Sequence, residues 1–306
     1  MNILISGSHG LIGSALASLL AGRGHRICRL VRDLPVSGPQ EVGWDPQART
    51  INGRALEGVD AAIHLAGESV ARGRWTAAKK ARIRESRVES TRLLARTLAA
   101  LTRRPRVLIC ASAVGYYGDR GDEILVEESA PGQGFLAGVC VAWEAAAEAV
   151  RQAGIRVVHL RTGLVLTPTG GALAQLLPLF RLGLGGRFGS GRQWMSWITL
   201  DDEVEAIAHT LGRNTLQGPV NLVSPHPVTN QGFTEMLARV LKRPAVLAVP
   251  GAVLRAVIGE AAGELVGSQR AHPARLLAEG YTFRHPELGA GLRHLLASRS
   301  ARSASA

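Results

Sequence analysis

The amino-acid sequence predicts an α/β protein in which a doubly wound parallel sheet is followed by a smaller, mostly helical C-terminal domain. Three observations support this fold class. Short apolar runs alternate with helical repeats through the first half of the chain, glycines cluster directly after the first apolar run, and the alternation stops after Thr167, where glycines become frequent. Alternation at this spacing is typical of parallel strands joined by right-handed crossover helices.

The strands and helices of the predicted sheet follow one another in a regular order. The first strand, Asn2–Ile5, leads into a helix in which apolar residues recur at helical spacing from Leu11 to Leu20. The same criteria predict strands at His25–Val31, Val59–Leu65, Arg106–Ala111 and Ile155–Leu160, and helices at Thr76–Leu101 and Gly138–Arg151. The carboxyl ends of these strands then meet at one edge of the sheet, where ligands bind in such folds.

We divide the chain into two domains and a tail. Residues 1–168 form the sheet domain, and residues 199–224 return to it because they predict a capped helix followed by a strand. Residues 169–198 and 225–297 form the smaller domain. Its predicted helices are Thr229–Leu241, Ala252–Ile258, Pro273–Glu279 and Pro286–Leu296. Residues 298–306 contain only Ser, Ala and Arg and are expected to be a disordered tail.

Length and composition are those of a globular chain with an apolar core. The chain has 306 residues, of which 46% are apolar and 20% charged, so wholesale disorder is not expected. It has no apolar stretch of the roughly 18 residues that a membrane span needs, and its start does not resemble a secretory signal. The three cysteines, Cys28, Cys110 and Cys140, are far apart. This favours a reduced, cytoplasmic compartment, without a disulfide framework or a metal site.

The chain is strongly basic, with a formal net charge of +12 from 36 basic and 24 acidic residues. One interpretation is a solvated surface rich in arginine; the alternative is affinity for anions such as phosphates, phosphorylated substrates or nucleic acid. The arginines are spread along the chain, and aromatic residues, on which nucleic-acid bases stack, make up only 4%. We therefore favour the first interpretation and expect a small-molecule ligand rather than nucleic acid or a membrane.

The glycines after the first strand indicate a Rossmann-type dinucleotide-binding loop. Gly7, Gly10 and Gly13 stand at GxxGxxG spacing in ISGSHGLIG. In such a loop the first glycine permits a tight turn, the second lets the backbone approach a pyrophosphate, and the third lets helix and strand pack closely. The first-turn amides of Leu11 and Ile12 then face the phosphates. The alternative, an ordinary strand–helix turn, is disfavoured by the strands and helix around it.

The end of the second strand decides which dinucleotide is expected. NAD-binding domains usually place an acid there, against the ribose hydroxyls. Here Val31 takes that position and Arg32 follows, and its guanidinium is suited to the 2′-phosphate of NADP. Asp33 comes next and would favour NAD if its side chain turned inward. We predict NADP, with NAD as the less favoured cofactor; the remaining alternative is that Arg32 is a plain surface charge.

Further segments carry a resemblance to a known family: HLAGE (His64–Glu68), GRWTAAKKARIRESRVEST (Gly73–Thr91), SAVGYYG (Ser112–Gly118) and SWITLDD (Ser196–Asp202). The chain resembles the extended short-chain dehydrogenases/reductases along nearly its whole length. Within them it is most similar to an atypical branch described as epimerase family proteins or nucleoside-diphosphate-sugar epimerases, sometimes as cell-division-inhibitor-like. Residues 258–288 resemble the small C-terminal domain of that branch.

The resemblance implies a hydride-transfer site in which Ser112 matches the serine that polarises the reacting oxygen. Members of the wider superfamily also carry a Tyr-xxx-Lys pair, but here it falls on Leu136 and Cys140, which supply neither an acidic hydroxyl nor an ammonium group. Tyr116 or Tyr117, just past the strand that carries Ser112, is the candidate replacement for the proton donor. The alternative is that both tyrosines only pack beneath the ligand.

The same resemblance implies further contacts with the cofactor. Ala66 and Gly67 match the loop beside the adenosine ribose, where small residues allow close backbone approach. Arg87, with Arg74 as the alternative, is the basic side chain expected to face the cofactor or the substrate. Arg161 ends a strand and is expected near the nicotinamide or the substrate.

These observations lead to one preferred function and one alternative. We expect an NADP-dependent oxidoreductase of the epimerase/dehydratase type that acts on an unidentified carbonyl or sugar-nucleotide-like substrate. The alternative is a dinucleotide-binding sensor or scaffold whose catalysis was lost with the Tyr/Lys pair. A homodimer is compatible with the resemblance, although no residue in the sequence decides it.

Overall fold

The computed structural model describes residues 1–32, 38, 40–71 and 73–303. Its strands are β1 (Asn2–Ser6), β2 (Arg26–Val31), β3 (Glu41–Asp45), β4 (Thr50–Ile51), β5 (Ala61–His64), β6 (Val107–Ala113), β7 (Ile124–Leu125), β8 (Arg156–Thr162), β9 (Leu164–Leu166), β10 (Gly186–Phe188), β11 (Trp194–Met195), β12 (Trp197–Thr199), β13 (Gly218–Leu222), β14 (Val228–Thr229), β15 (Leu247–Val249) and β16 (Arg270–Ala271).

The α-helices are α1 (Leu11–Gly22), α2 (Ala77–Ala99), α3 (Phe135–Ala145), α4 (Glu148–Gln152), α5 (Gly171–Arg181), α6 (Leu200–Gly212), α7 (Asn230–Leu241), α8 (Gly251–Ile258), α9 (Ala262–Val266), α10 (Ala274–Ala278) and α11 (Leu288–Ser303). The helix predicted at Gly138–Arg151 is divided into α3 and α4. None of the described helices is long and apolar enough to cross a membrane.

The centre of the molecule is an eight-stranded sheet with the order β13-β8-β6-β5-β1-β2-β3-β4. The strands from β13 to β3 pair in parallel, and the short β4 is antiparallel to β3. The order reverses between β1 and β5, because the chain runs outward in one direction from β1 to β3 and in the other from β5 to β13. The predicted doubly wound, Rossmann-type α/β fold is confirmed, and folds of this kind bind ligands in the crevice at such a reversal.

Helices cover both faces of the sheet and bury its apolar side chains. Ile3 and Ile5 of β1 point to one face, where they pack with Leu16 of α1 and Ile207 of α6. Leu4 points to the other face and packs in the cluster that includes residues of α2 and α4. Because successive strand residues point to opposite faces, a strand covered on both sides has an unbroken apolar sequence, as ILI in β1 does.

The C-terminal part of the chain has its own apolar cluster. Leu177 of α5, Leu237 of α7 and Leu292 of α11 pack around Trp197, which is fully buried. Helix α11 extends through Ser303, whereas the sequence predicts a disordered tail from residue 298. Alanine and arginine in this segment favour helix, which explains the difference. Residues 304–306 lie outside the described part of the chain.

Candidate functional site

The glycine-rich loop after β1 is packed against the loop after β5. Gly7 has a φ of +69°, a conformation that glycine adopts without strain, and a Cβ there would lie 2.8 Å from the Leu65 carbonyl carbon. A Cβ on Gly13 would lie 2.1 Å from the Gly7 carbonyl oxygen. Side chains at these two positions are therefore excluded by backbone, and the loop lies at the crevice between β1 and β5.

The N-terminus of α1 is suited to an anionic group. Gly10 is its N-cap residue and provides no side-chain cap, so the first-turn amides of Leu11, Ile12 and Gly13 face outward without a capping side chain. The hydroxyl of Ser8 is buried and has no hydrogen-bond partner among the described residues. Unpaired amides, a positive helix end and a spare buried hydroxyl in one loop fit the pyrophosphate of a dinucleotide.

Arg32 lies just past β2, the strand beside β1, and is exposed. Asp33, the residue that would favour NAD, lies outside the described residues. Arg32 is one of three basic residues near Glu68, whose carboxylate is 2.7 Å from Nζ of Lys79. The Lys79 hydrogen bond, with smaller contributions from Lys79, Arg82 and Arg32 charges, lowers the pKa of Glu68. The edge of the crevice therefore combines one carboxylate with several cations.

The loop after β5 is held by Arg87 of α2. Its guanidinium donates hydrogen bonds to the carbonyls of Glu68 and Ile83, at 3.0 and 3.1 Å. A Cβ on Gly67 would lie 3.3 Å from the Arg87 guanidinium carbon, so glycine allows this approach. Arg87 is half-buried and lies beside Ala66–Gly67, and its contact with the cofactor or the substrate stays a prediction. Arg74, the alternative, instead donates to the carbonyl of Ala256.

Ser112 lies near the carboxyl end of β6 and is part of a buried network with Glu144 and Arg161. Its hydroxyl donates a hydrogen bond of 2.7 Å to Oε1 of Glu144. Arg161, at the end of β8, donates from Nε and Nη2 to the two oxygens of the same carboxylate, both at 2.9 Å. Such a paired arrangement fixes both the position and the plane of the carboxylate.

Arg161 also donates from Nη1 to the hydroxyl of Tyr117 and to the carbonyl of Glu127, both at 3.0 Å. Only 3% of Arg161 is exposed. Burial alone would lower the pKa of Arg161, but the hydrogen bonds to Glu144 and the charge of that carboxylate, with a smaller contribution from Tyr117, raise it. The expectation that Arg161 contacts the cofactor or the substrate is therefore revised: its guanidinium is used within the protein, and it positions Glu144 and Tyr117.

The two tyrosines predicted as candidate proton donors have different surroundings. Tyr117 is fully buried, and its hydroxyl donates to Oδ1 of Asn221 at 2.7 Å. Burial raises its pKa to about 12. Tyr116 is half-buried, its ring centroid lies 3.5 Å from the Arg161 guanidinium carbon, and its hydroxyl makes no hydrogen bond to the described residues. The structure thus leaves Tyr116 freer than Tyr117 to meet a ligand.

Glu144 is the site residue that the sequence did not predict. Leu136, Cys140 and Glu144 are spaced by four residues on α3, and residues so spaced share one face of a helix. Leu136 and Cys140 occupy the positions of the missing Tyr-xxx-Lys pair, and the next position along the same face carries the carboxylate that binds Ser112. This helical spacing was the available signal for Glu144.

Comparison with known proteins supports this interpretation of the fold. Residues 3–224 match the NAD dependent epimerase/dehydratase family, and residues 249–295 match a domain of unknown function, DUF1731. An epimerase family protein of Mycobacterium bovis is 44% identical over 95% of this chain and 96% of its own length.

Two solved structures to which this chain is similar are also epimerase-type proteins. The crystal structure of human epimerase family protein SDR39U1 (isoform 2) with NADPH is 34% identical, has a TM-score of 0.87, and covers 96% of this chain and 99% of the human chain. A nucleoside-diphosphate sugar epimerase from Corynebacterium glutamicum is 38% identical with a TM-score of 0.81, over 97% of this chain and 58% of that one. The predicted resemblance is confirmed: this chain belongs to the NAD dependent epimerase/dehydratase family.

Proposed function

We propose that this protein is an NADP-dependent oxidoreductase of the epimerase/dehydratase type. The observation that carries the proposal is the glycine loop at the crevice between β1 and β5, where Gly7 and Gly13 exclude side chains and α1 presents uncapped amides. The human relative crystallised with NADPH and the exposed Arg32 past β2 support NADP over NAD. In this proposal Arg32 binds the 2′-phosphate of NADP. Ala66, Gly67 and Arg87 lie beside the adenosine ribose of the cofactor.

When bound, the nicotinamide ring supplies a hydride acceptor or donor. The proton that leaves the substrate hydroxyl as the hydride is transferred passes through Ser112 to Glu144. Because the Ser112 hydroxyl hydrogen points to Glu144, its oxygen is free to accept the proton of a substrate hydroxyl while its own proton passes to Oε1. The substrate carbon then loses a hydride and its oxygen a proton, which yields a carbonyl. The same steps in reverse deliver the proton during reduction.

Tyr116 is the second group that we place at the substrate. Its half-buried hydroxyl, just past β6, is suited to bind or protonate the oxygen of a carbonyl or sugar-nucleotide-like substrate. Tyr117 and Arg161 support the site from within: their mutual hydrogen bond and the Arg161–Glu144 pair hold the carboxylate beneath Ser112. The substrate lies between the sheet domain and the C-terminal residues in this proposal.

A second function, a dinucleotide-binding sensor or scaffold, is favoured by one observation. The positions of the Tyr-xxx-Lys pair are occupied by Leu136 and by Cys140, which is buried. A protein of this kind binds the cofactor without turnover. The three cysteines, none of them in a disulfide, support a reduced, cytoplasmic compartment for either function.

Cofactor titration tests the proposal. The intact protein is titrated with NADPH and NADH, alongside Arg32→Ala and the control Arg29→Ala, which removes an exposed arginine from β2, the strand that Arg32 follows. We expect NADPH to bind more tightly than NADH. Arg32→Ala should weaken NADPH roughly 10- to 100-fold, because a hydrogen bond to a charged group contributes about 1.5–3 kcal/mol, and leave NADH unchanged. Tighter NADH binding would contradict the choice of NADP, and no binding of either would contradict both functions.

Turnover separates the two functions. Protein with bound NADPH is mixed with a panel of carbonyl compounds and sugar nucleotides, and oxidation of the nicotinamide is followed. Turnover that is lost in Ser112→Ala supports the oxidoreductase. Binding of NADPH without turnover of any compound supports the sensor or scaffold, and turnover unaffected by Ser112→Ala and by changes at both tyrosines would rule out the proposed site.

A further inference from the structure

Two histidines and an aspartate converge on the surface near the start of α6. Asp201 is in the first turn of α6, His285 precedes α11, and His294 is within α11. Each offers one ligand atom, and these atoms all lie within 4.8 Å of one another. Nε2 of His294 is 2.8 Å from Oδ2 of Asp201, and the two imidazole rings are stacked with centroids 4.3 Å apart.

The backbone that carries these side chains is held firmly. The neighbouring Asp202 is buried, and its two carboxylate oxygens accept the amides of Arg284 and His285 at 2.7 and 3.0 Å. Helix α11 packs closely at Gly291, where a Cβ would lie 3.1 Å from Thr199 and 3.5 Å from the His285 Cβ. Contacts of neighbouring residues therefore fix the backbone at the three candidate ligands, as a preorganised site requires.

The donor set selects a class of ion. Imidazole nitrogens suit Zn²⁺ and its neighbours Cu²⁺ and Ni²⁺, whereas Mg²⁺ and Ca²⁺ prefer oxygen ligands throughout. Zinc bonds to histidine and carboxylate measure about 2.0–2.2 Å, so the donor atoms must approach one another on binding. The side chains of Asp201 and His294 are 43% and 44% exposed, so a small rotation of either side chain does not require the core to move.

We propose that Asp201, His285 and His294 bind one Zn²⁺ ion, with water at the remaining position, and that the ion ties α11 to the start of α6. Because the three ligands come from separate elements, the ion would join the C-terminal helix to the helix that covers the sheet. Metal binding of this kind stabilises the folded chain over the unfolded chain, in which the ligands are far apart.

The test is a titration of the untagged full chain with Zn²⁺ alone, by calorimetry, with unfolding temperatures measured in parallel. We expect one equivalent to bind and the unfolding temperature to rise. His285→Gln and His294→Gln each remove one of the three protein ligands, so each should weaken binding by at least the roughly 10- to 100-fold that the loss of a residue supporting a ligand costs. Both variants should unfold without metal at the wild-type temperature, since neither side chain is buried.

Two matched controls make the outcome decisive. His226→Gln removes an exposed histidine that pairs with Glu287 at 3.3 Å, and Cys28→Ser removes a half-buried thiol. Zinc binding should be unchanged in both. The proposal is overturned by the absence of saturable binding at one equivalent, by full binding in the His285 or His294 variants, or by an equal loss in either control. Cofactor binding is a separate measurement, so failure here leaves the proposed function unaffected.

Discussion

Ser112 and Glu144, thirty-two residues apart in the chain, are joined by a hydrogen bond of 2.7 Å in which the serine hydroxyl is the donor. The Glu144 carboxylate in turn accepts hydrogen bonds from Nε and Nη2 of the Arg161 guanidinium group. Serine on its own is a weak acid and a weak base, so a partner that takes or returns its proton is needed for it to act at neutral pH. In the proposed mechanism, Glu144 is this partner of Ser112 and compensates for the missing Tyr-xxx-Lys pair.

The first prediction concerns Glu144. Glu144→Gln keeps the shape of the side chain but removes the proton acceptor, and we expect turnover to fall about 100-fold or more, within the range of general acid–base catalysis. NADPH binding should be retained. The double variant with Ser112→Ala should be no slower than the slower single variant, because both groups serve one proton path. Steady-state turnover and NADPH titration measure these effects.

Stability provides the control for this prediction. Glu144→Gln leaves the buried Arg161 without its carboxylate, a loss that costs about 3–5 kcal/mol, whereas Ser112→Ala keeps that ion pair. Glu148→Gln breaks a comparable but exposed pair with Arg151 and should change neither turnover nor unfolding. Wild-type turnover in a folded Glu144→Gln variant would exclude Glu144 from the reaction.

The second prediction tests the glycine loop. Gly13→Ala places a methyl group 2.1 Å from the Gly7 carbonyl oxygen, so α1 must move away from the loop. We expect a destabilisation of about 1–3 kcal/mol and at least a ten-fold weaker NADPH affinity. Gly22→Ala, at the other end of α1, meets no atom within 4 Å. It should stabilise the helix by about 0.5–1 kcal/mol and leave affinity unchanged.

The third prediction separates the two tyrosines. Tyr117→Phe removes a buried hydroxyl that bonds Asn221 and Arg161, and should cost about 1–3 kcal/mol of stability. Tyr116→Phe removes a hydroxyl without such bonds, so stability should stay within about 0.5 kcal/mol while turnover falls. Urea unfolding and turnover assays of both variants check this. A loss of turnover in Tyr117→Phe alone, at unchanged stability, would assign the proton donor to Tyr117 instead.

Local sequence signals were sufficient for the sheet and for the position of the glycine loop after β1. These signals lie within a few residues of one another in the sequence, as in the apolar run Leu4–Ile5 and the spacing of Gly7, Gly10 and Gly13. The structure places both segments where they were predicted. The end of α11 was missed because composition alone suggested disorder, although alanine and arginine also favour helix.

The networks of the site required the folded chain. Arg161 looked like a ligand-binding residue because it ends a strand at the correct edge, but its partners Glu144 and Tyr117 come from other parts of the chain. Asp201 and His294 are likewise brought together only by folding. Pairings over such distances in sequence leave no periodic pattern, so they were not available to sequence analysis.

Glu203 of α6 is the buried carboxyl group on which the last prediction depends. It is 1% exposed, and one of its oxygens accepts the hydroxyl of Thr162 at 2.9 Å. The other oxygen has no partner within the described chain. Burial raises the pKa of Glu203 from 4.5 to about 8, so the group is protonated in the folded protein at neutral pH but ionised in the unfolded chain.

The fourth prediction follows from this difference in proton binding. Between about pH 5 and pH 8 the folded protein holds one more proton at Glu203 than the unfolded chain does. The free energy of unfolding should therefore fall by about 1.4 kcal/mol for each unit by which the pH rises, from this group alone. Glu203→Gln, which cannot titrate, should remove that slope. The exposed control Glu235→Gln should keep it. Urea unfolding of the three proteins at pH 5 to 9 measures the slopes; identical slopes in wild type and Glu203→Gln would show that Glu203 is ionised in the folded protein.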